Sequence, residues 1–209
     1  MESKEQYHNP FIVCVTTGFL IVGLILLFGK IEWFPDYYDV RYMGVASLIA
    51  AILILYVPYF TERRKKYFRI HPPATGAVRQ LQVGIALTLL LNALGDLGLY
   101  QLYRYGFEFD KLIHFVNPFI SVYVFSYFFV VGRHMSVRKS VFLAAGMSIF
   151  FGASWELVEF SMDHFFGTAL FGEYGKYPLP DTIVDLTFNV MGSLASAYIS
   201  YRRLTKIKL

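Results

Sequence analysis

Charge and cysteine are both scarce in this sequence. Only 16% of its 209 residues are Asp, Glu, Lys or Arg, against roughly a quarter in an ordinary soluble domain. That shortfall excludes a fully solvated globular surface. A single cysteine, Cys14, excludes an intramolecular disulfide and any site built from several thiolates. Familiar catalytic signatures are missing too: no His-Glu-x-x-His, no Gly-x-Ser-x-Gly and no glycine-rich phosphate loop. The connections between apolar runs are too short to hold a soluble domain.

What the chain has instead is long apolar runs. Hydrophobic residues make up 56% and the mean hydropathy is +0.48. The 16 Tyr and 21 Phe suit lipid-facing surface and interfacial belts. A transmembrane helix needs ~20 mostly apolar residues, and six stretches qualify, at 11–28, 43–60, 81–103, 112–132, 141–162 and 182–201. They predict an all-α integral membrane protein, a bundle of about six transmembrane helices forming one transmembrane domain over 1–209. The run at 11–28 exceeds a signal-peptide core and no small-x-small cleavage site follows it, so it reads as a retained first helix.

Basic residues set the expected orientation. With six spans, Lys4, the group Arg63, Arg64, Lys65, Lys66, Arg69 and Arg79, the group Arg133, Arg138 and Lys139, and finally Arg202, Arg203, Lys206 and Lys208 share one side. Lys30, Arg41, Arg104, Lys111 and Lys176 take the other. Both termini are therefore expected in the cytoplasm of a cell-membrane protein. The net charge of +4 reads as orientation charge, with membrane lipids as partners and no nucleic acid. The run Arg63-Arg64-Lys65-Lys66 reads as an anchor at anionic headgroups.

Acidic residues concentrate at the opposite, external side, and the last four spans carry them inside helices. The third holds Asn92 and Asp96. The fourth opens with Asp110, Lys111, His114 and Asn117, with Asp110 and His114 four apart and so on one face. The fifth carries Glu156 and Glu159, with Asp163 and His164 just beyond its expected end. The sixth starts with Asp181, Asp185 and Asn189, each four apart. A carboxylate at mid-membrane costs roughly 2.5–3.5 kcal/mol and normally faces the bundle interior or a wet cavity. Too few cations are available to pair all these groups, which points to protonated carboxyls, a bound divalent metal, or both.

Simpler roles compete at several positions. Asp110 and Asp181 sit where helix caps belong. Asp163, His164 and Glu173 read as solvated loop residues, and Asn92, Asn117 and Asn189 as interhelical hydrogen-bonding groups. His114, Glu156, Glu159 and Asp185 are not explained by capping, and they form the candidate catalytic core. Asp96, Asp110 and Asp181 join them as candidate metal ligands. Carboxylates with one histidine suit Mg²⁺, Mn²⁺ or Zn²⁺, and the scarcity of histidine argues against a histidine-rich di-iron centre.

Asp-Lys-Leu-Ile-His-Phe at 110–115, Trp-Glu-Leu-Val-Glu-Phe at 155–160 and Asp-Thr-Ile-Val-Asp-Leu-Thr-Phe-Asn-Val-Met-Gly at 181–192 resemble the YjdF-like (DUF2238) membrane proteins. More distantly they resemble the VanZ-like family associated with low-level glycopeptide resistance. The resemblance covers about 90–200. VanZ-like proteins tend to carry Gln where this chain has Glu159, and an Arg before the last helix where Lys176 is the nearest basic residue, so the Glu-x-x-Glu form favours the YjdF-like branch. The resemblance implies that Asp110, His114, Glu156, Glu159, Asp181 and Asp185 belong together, and implies no particular reaction.

Three functions fit these residues: an enzyme, metal-dependent, acting on a lipid or lipid-linked substrate at the external face; a membrane scaffold with a structural polar cluster; and a small proton- or cation-coupled transporter. The inner halves of the last four spans, apolar apart from small residues and scattered Ser, Thr and Tyr, argue against the third.

Overall fold

A computed structural model describes residues 9–34, 40–63, 75–166 and 178–206. Six long helices occupy them, α1 Pro10–Phe28, α2 Val40–Arg63, α3 Thr75–Asp96, α4 Phe109–Tyr127, α5 Val137–Phe166 and α6 Pro178–Leu204. Short 3-10 segments lie at Ile31–Trp33 and Leu99–Tyr105, and a π-helical segment, Phe128–Gly132, extends α4. There is no strand among the described residues. All six long helices are long and apolar enough to cross a membrane. Lys4, Arg64, Lys65, Lys66, Arg69, Glu173, Lys176 and Lys208 lie outside the described residues.

The chain groups into two compact units. The first takes residues 1–99 with 131–133, and the second takes 100–130 with 134–209.

In the first unit α1 packs on α2, α2 on α3, and α1 on α3. Asn9 starts α1 by accepting a hydrogen bond from the Phe11 amide at 3.1 Å, with Pro10 in the first helical position, where its missing N–H costs nothing. Arg41 closes the other end by donating to the carbonyl of Leu26 at 2.9 Å and to that of Leu27. A cation there also complements the helix's negative end. The core is apolar: Ile12, Val15 and Phe19 of α1 meet Ala50, Ala51 and Ile54 of α2 and Ala86 of α3.

Proline shapes α2. Pro58 has no N–H to give the Ile54 carbonyl four residues back. Gln82 of α3 supplies the missing donor, its Nε2 lying 3.0 Å from Ile54 O, so the helix defect becomes an interhelical tie.

The third helix ends seven residues before the expected 103. Gly98 adopts φ +128°, a conformation open to glycine and strained for other residues. Its amide turns back to Gly95 O while Leu97 N bonds Ala93 O. Asp96 is consequently the last residue of α3, not a residue two turns inside it.

In the second unit α4 packs on α6 and on α5, and α5 packs on α6. Phe115 lies against Gly192, and Ser196 donates to Phe119 O at 2.6 Å. These pairings climb together, so α4 and α6 run parallel. Asn189 lies against Gly152 and Ser193 bonds Ser148 at 3.1 Å, a pairing that descends, so α5 runs antiparallel to both. Gly192 meets the Phe115 carbonyl more closely than any Cβ allows, the close approach that small residues give membrane helices. Helix α5 continues through Phe166. His164 therefore lies inside it, stacked on Phe160 with rings 5.5 Å apart, and the backbone of Asp163 is helical too. Neither belongs to a loop, as the sequence reading expected.

Candidate functional site

Parallel α4 and α6 with antiparallel α5 bring three segments to one end of the second unit: the starts of α4 and α6 and the last third of α5. Each contributes ionisable residues at helical spacing. Asp110, Lys111 and His114 come from the first two turns of α4. Glu156 and Glu159 come from α5 and Asp181, Asp185 and Asn189 from α6.

Lys111 is the hub of the group. Its Nζ lies 3.1 Å from Asp110 Oδ2, 2.5 Å from Asp181 Oδ1 and 2.7 Å from Asp185 Oδ1. One ammonium thus ties α4 to two positions one turn apart on α6. His114 bridges in the other direction, its Nε2 3.3 Å from Asp110 Oδ1 and its Nδ1 3.0 Å from Glu156 Oε1. Asn189 Nδ2 reaches the same Glu156 oxygen at 3.4 Å. Glu159 Oε1 accepts from the indole N–H of Trp155, one turn back on α5, at 2.7 Å. Glu156 is 2% exposed, Asp185 3% and His114 8%.

Neither Asp110 nor Asp181 is a cap. Glu108 precedes α4 and makes no capping bond, while both aspartates spend their oxygens on Lys111 and, for Asp110, on His114 as well. The expected shortage of cations is partly met by Lys111 serving three carboxylates. It is not fully met, since five buried or half-buried carboxylates face one ammonium and one imidazole. A neutral imidazole donates through one nitrogen only. With a carboxylate oxygen at each ring nitrogen, His114 needs a second proton on the ring, a protonated carboxyl, or a cation at one of its two contacts.

Two sets of three ligand atoms lie within 4.8 Å of one another: Asp110, His114 and Asp185, and His114, Glu156 and Glu159. Lys111 already sits on two members of the first set. The second set, one imidazole and two carboxylates, has the donor chemistry of a Mg²⁺, Mn²⁺ or Zn²⁺ site.

Six of the seven residues singled out in the sequence come together here. The seventh, Asp96, belongs to the first unit. Of the three asparagines expected to join helices, Asn189 does so. Asn92 bonds its own helix at Thr88 O, 2.8 Å away, and Asn117 Oδ1 is buried with no partner among the described residues. The sequence reading undervalued Lys111, treating it as one scarce cation near the group. The four-residue step from Asp181 to Asp185, which places both carboxylates on one helix edge, was the signal for a shared cation.

A family described as "Predicted membrane protein (DUF2238)" matches residues 14–206. The chain belongs to the DUF2238 family. The match starts in α1 and ends beyond α6, wider than the 90–200 core expected from the motifs alone, and it makes this an all-α, multi-pass membrane protein. An uncharacterised protein of Thermotoga maritima is 30% identical over 106 residues, which cover 49% of this chain and 53% of that protein. The chain thus spans about half the length of that relative. The more distant VanZ-like resemblance gains no support from these similarities. No solved structure matches.

Proposed function

We propose that the α4–α6 cluster is a divalent-metal site of a membrane enzyme, facing the external side of the cell membrane and acting on a lipid or lipid-linked substrate. The observation that carries this reading is the set His114, Glu156 and Glu159, whose ligand atoms converge within 4.8 Å while Lys111 is committed elsewhere. A metal held there would polarise a phosphoryl oxygen or activate water. His114 would hold the metal as a neutral imidazole, with Asp110 accepting from its other ring N–H and fixing the tautomer. Asp110, Asp181 and Asp185 then act through Lys111 as positioning residues. The basic-side count supports the orientation, with both termini cytoplasmic.

Elemental analysis of detergent-purified protein tests the site. About one equivalent of metal is expected in wild type, with loss in His114→Ala and in Glu156→Gln, and with Lys111→Arg retaining it. Metal-free protein whose unfolding temperature ignores added Mg²⁺, Mn²⁺ and Zn²⁺ would leave the cluster as helix glue, the scaffold reading. The orientation has its own test in a Cys14→Ser background. A membrane-impermeant maleimide should label Tyr105→Cys in intact cells and spare Lys206→Cys; the reverse pattern overturns it. The transporter reading ranks last, because Ser193–Ser148 and Ser196–Phe119 close the α5–α6 and α4–α6 interfaces by direct contact below the cluster.

A further inference from the structure

Asp96 ends α3 with a carboxylate at the helix's negative pole, the placement that electrostatics disfavours. Among the described residues no hydrogen bond or ion pair reaches it. With Asn92, one turn earlier, it lines a pocket of about 370 Å³ between α1, α2 and α3. The rest of the lining is apolar apart from Ser47 and the Cys14 thiol, with Phe19, Leu26 and Leu89 among its walls.

The polar atoms here are mostly acceptors. Asn92 spends one of its two amide N–H groups on Thr88 O, and Ser47 its hydroxyl hydrogen on Met43 O at 2.8 Å. What remains for a guest is chiefly two acceptors, the Asp96 carboxylate and the Asn92 Oδ1, with one Asn92 N–H beside them. A guest that satisfies them must donate, and a cation would also reverse the electrostatic conflict at the helix end. An anionic head is repelled. The apolar walls call for a hydrocarbon segment, and the volume, near the small end of the roughly 300–1,000 Å³ usual for ligand pockets, favours one chain over two.

We propose that this pocket binds a single-chain amphiphile with a primary ammonium head, the chain among the α1–α3 side chains and the ammonium on Asp96. The site is independent of the α4–α6 cluster. Its lining comes wholly from the first unit.

The test is native mass spectrometry of the full chain from maltoside detergent, titrated with dodecylamine, lysophosphatidylethanolamine, dodecanol and dodecanoic acid. At least one amine should bind about tenfold more tightly than dodecanol, as a charge-assisted hydrogen bond predicts, and the acid should bind most weakly. Which amine does so separates a free alkylamine from a lipid headgroup as the source. Asp96→Asn should remove the amine preference and leave dodecanol binding unchanged. Ala93→Phe should fill the pocket and abolish binding of all four, with Ala46→Leu as the second filler if the first does not fold. Equal affinity for all head types, no binding at all, or an amine preference that survives Asp96→Asn overturns the proposal.

Discussion

Among the described residues, the first unit buries thirteen apolar side chains and only three polar ones, Thr16, Ser47 and Gln82. The second buries nine apolar side chains and ten polar ones, running from His114, Glu156, Glu159 and Asp185 through Asn189 to Ser193, Ser196 and Ser200. Each is built from three long apolar helices, yet they cohere differently. Lipid is as apolar as leucine, so it does not drive apolar helices together. The first unit therefore depends on shape and on a few backbone repairs, such as Arg41 on α1 and Gln82 on α2. The second depends on polar groups that have no better partner than one another. Such groups are costly in a membrane and mark function, which is why the enzymatic reading rests on the second unit.

The comparison breaks first at Lys111. Lys111→Met strands three carboxylates around the space its ammonium held, and removing one partner of a buried ion group costs about 3–5 kcal/mol. We expect most of the protein to be lost from the monodisperse peak in detergent, or its unfolding midpoint to collapse. Adding Asp185→Asn to the variant should recover part of the loss, because the two sites share one interaction. Lys111→Met at wild-type stability would mean that the three aspartates are neutral without it.

Close packing gives the next contrast. Gly192→Ala drives a methyl into the Phe115 carbonyl, which is backbone and cannot step aside. Gly23→Ala in the first unit meets chiefly the Leu48 side chain, with Cδ2 2.8 Å away, and a leucine can change rotamer. Overpacking typically costs about 1–3 kcal/mol, so the second-unit variant should fall at or above the top of that range and the first-unit variant near its bottom. Chemical unfolding in mixed micelles measures both. Equal losses would show that α4 and α6 separate more easily than their contact implies.

A single hydrogen bond comes next. Gln82→Leu removes the donor that Pro58 made necessary and leaves Ile54 O buried without a partner. Such orphaned groups cost about 1–3 kcal/mol. Restoring the backbone donor with Pro58→Ala in the same chain should cancel most of that loss. If Gln82→Leu is neutral on its own, the Ile54 carbonyl is satisfied in another way.

Much of this was legible before any coordinates. Apolar run length fixes six helices, because a span must exceed the lipid core, and i, i+4 spacing fixes which acids share a face. The residues that escaped did so for physical reasons. Asp96 was expected two turns inside its helix because its run reads as one helix to Tyr103, and the positive φ of Gly98 that ends it leaves little trace in hydropathy. His164 looked external because polar residues late in a span resemble a loop, although α5 carries them inside the helix. Lys111 was discounted because a count of charges ignores that one ammonium has three donors. Pairing between helices distant in sequence, such as Lys111 with Asp181, depends on register, and no single-sequence pattern states it.

The smallest effect tests whether the serines of α6 belong with the cluster or with ordinary packing. Ser196 donates across the interface to Phe119 O, whereas Ser47 in the first unit donates to Met43 O within its own helix. Interhelical hydrogen bonds in membranes average about 0.6 kcal/mol, with a maximum near 1.7. Back-bonding to the preceding turn is neutral or slightly unfavourable for a helix. Ser196→Ala should therefore cost about 0.6 kcal/mol and leave metal content unchanged, while Ser47→Ala should be neutral or slightly stabilising. If Ser196→Ala also lowers bound metal, the polar face of α6 acts as one unit from Asp181 to Ser200, and the second unit's interior is an extension of the site rather than its support.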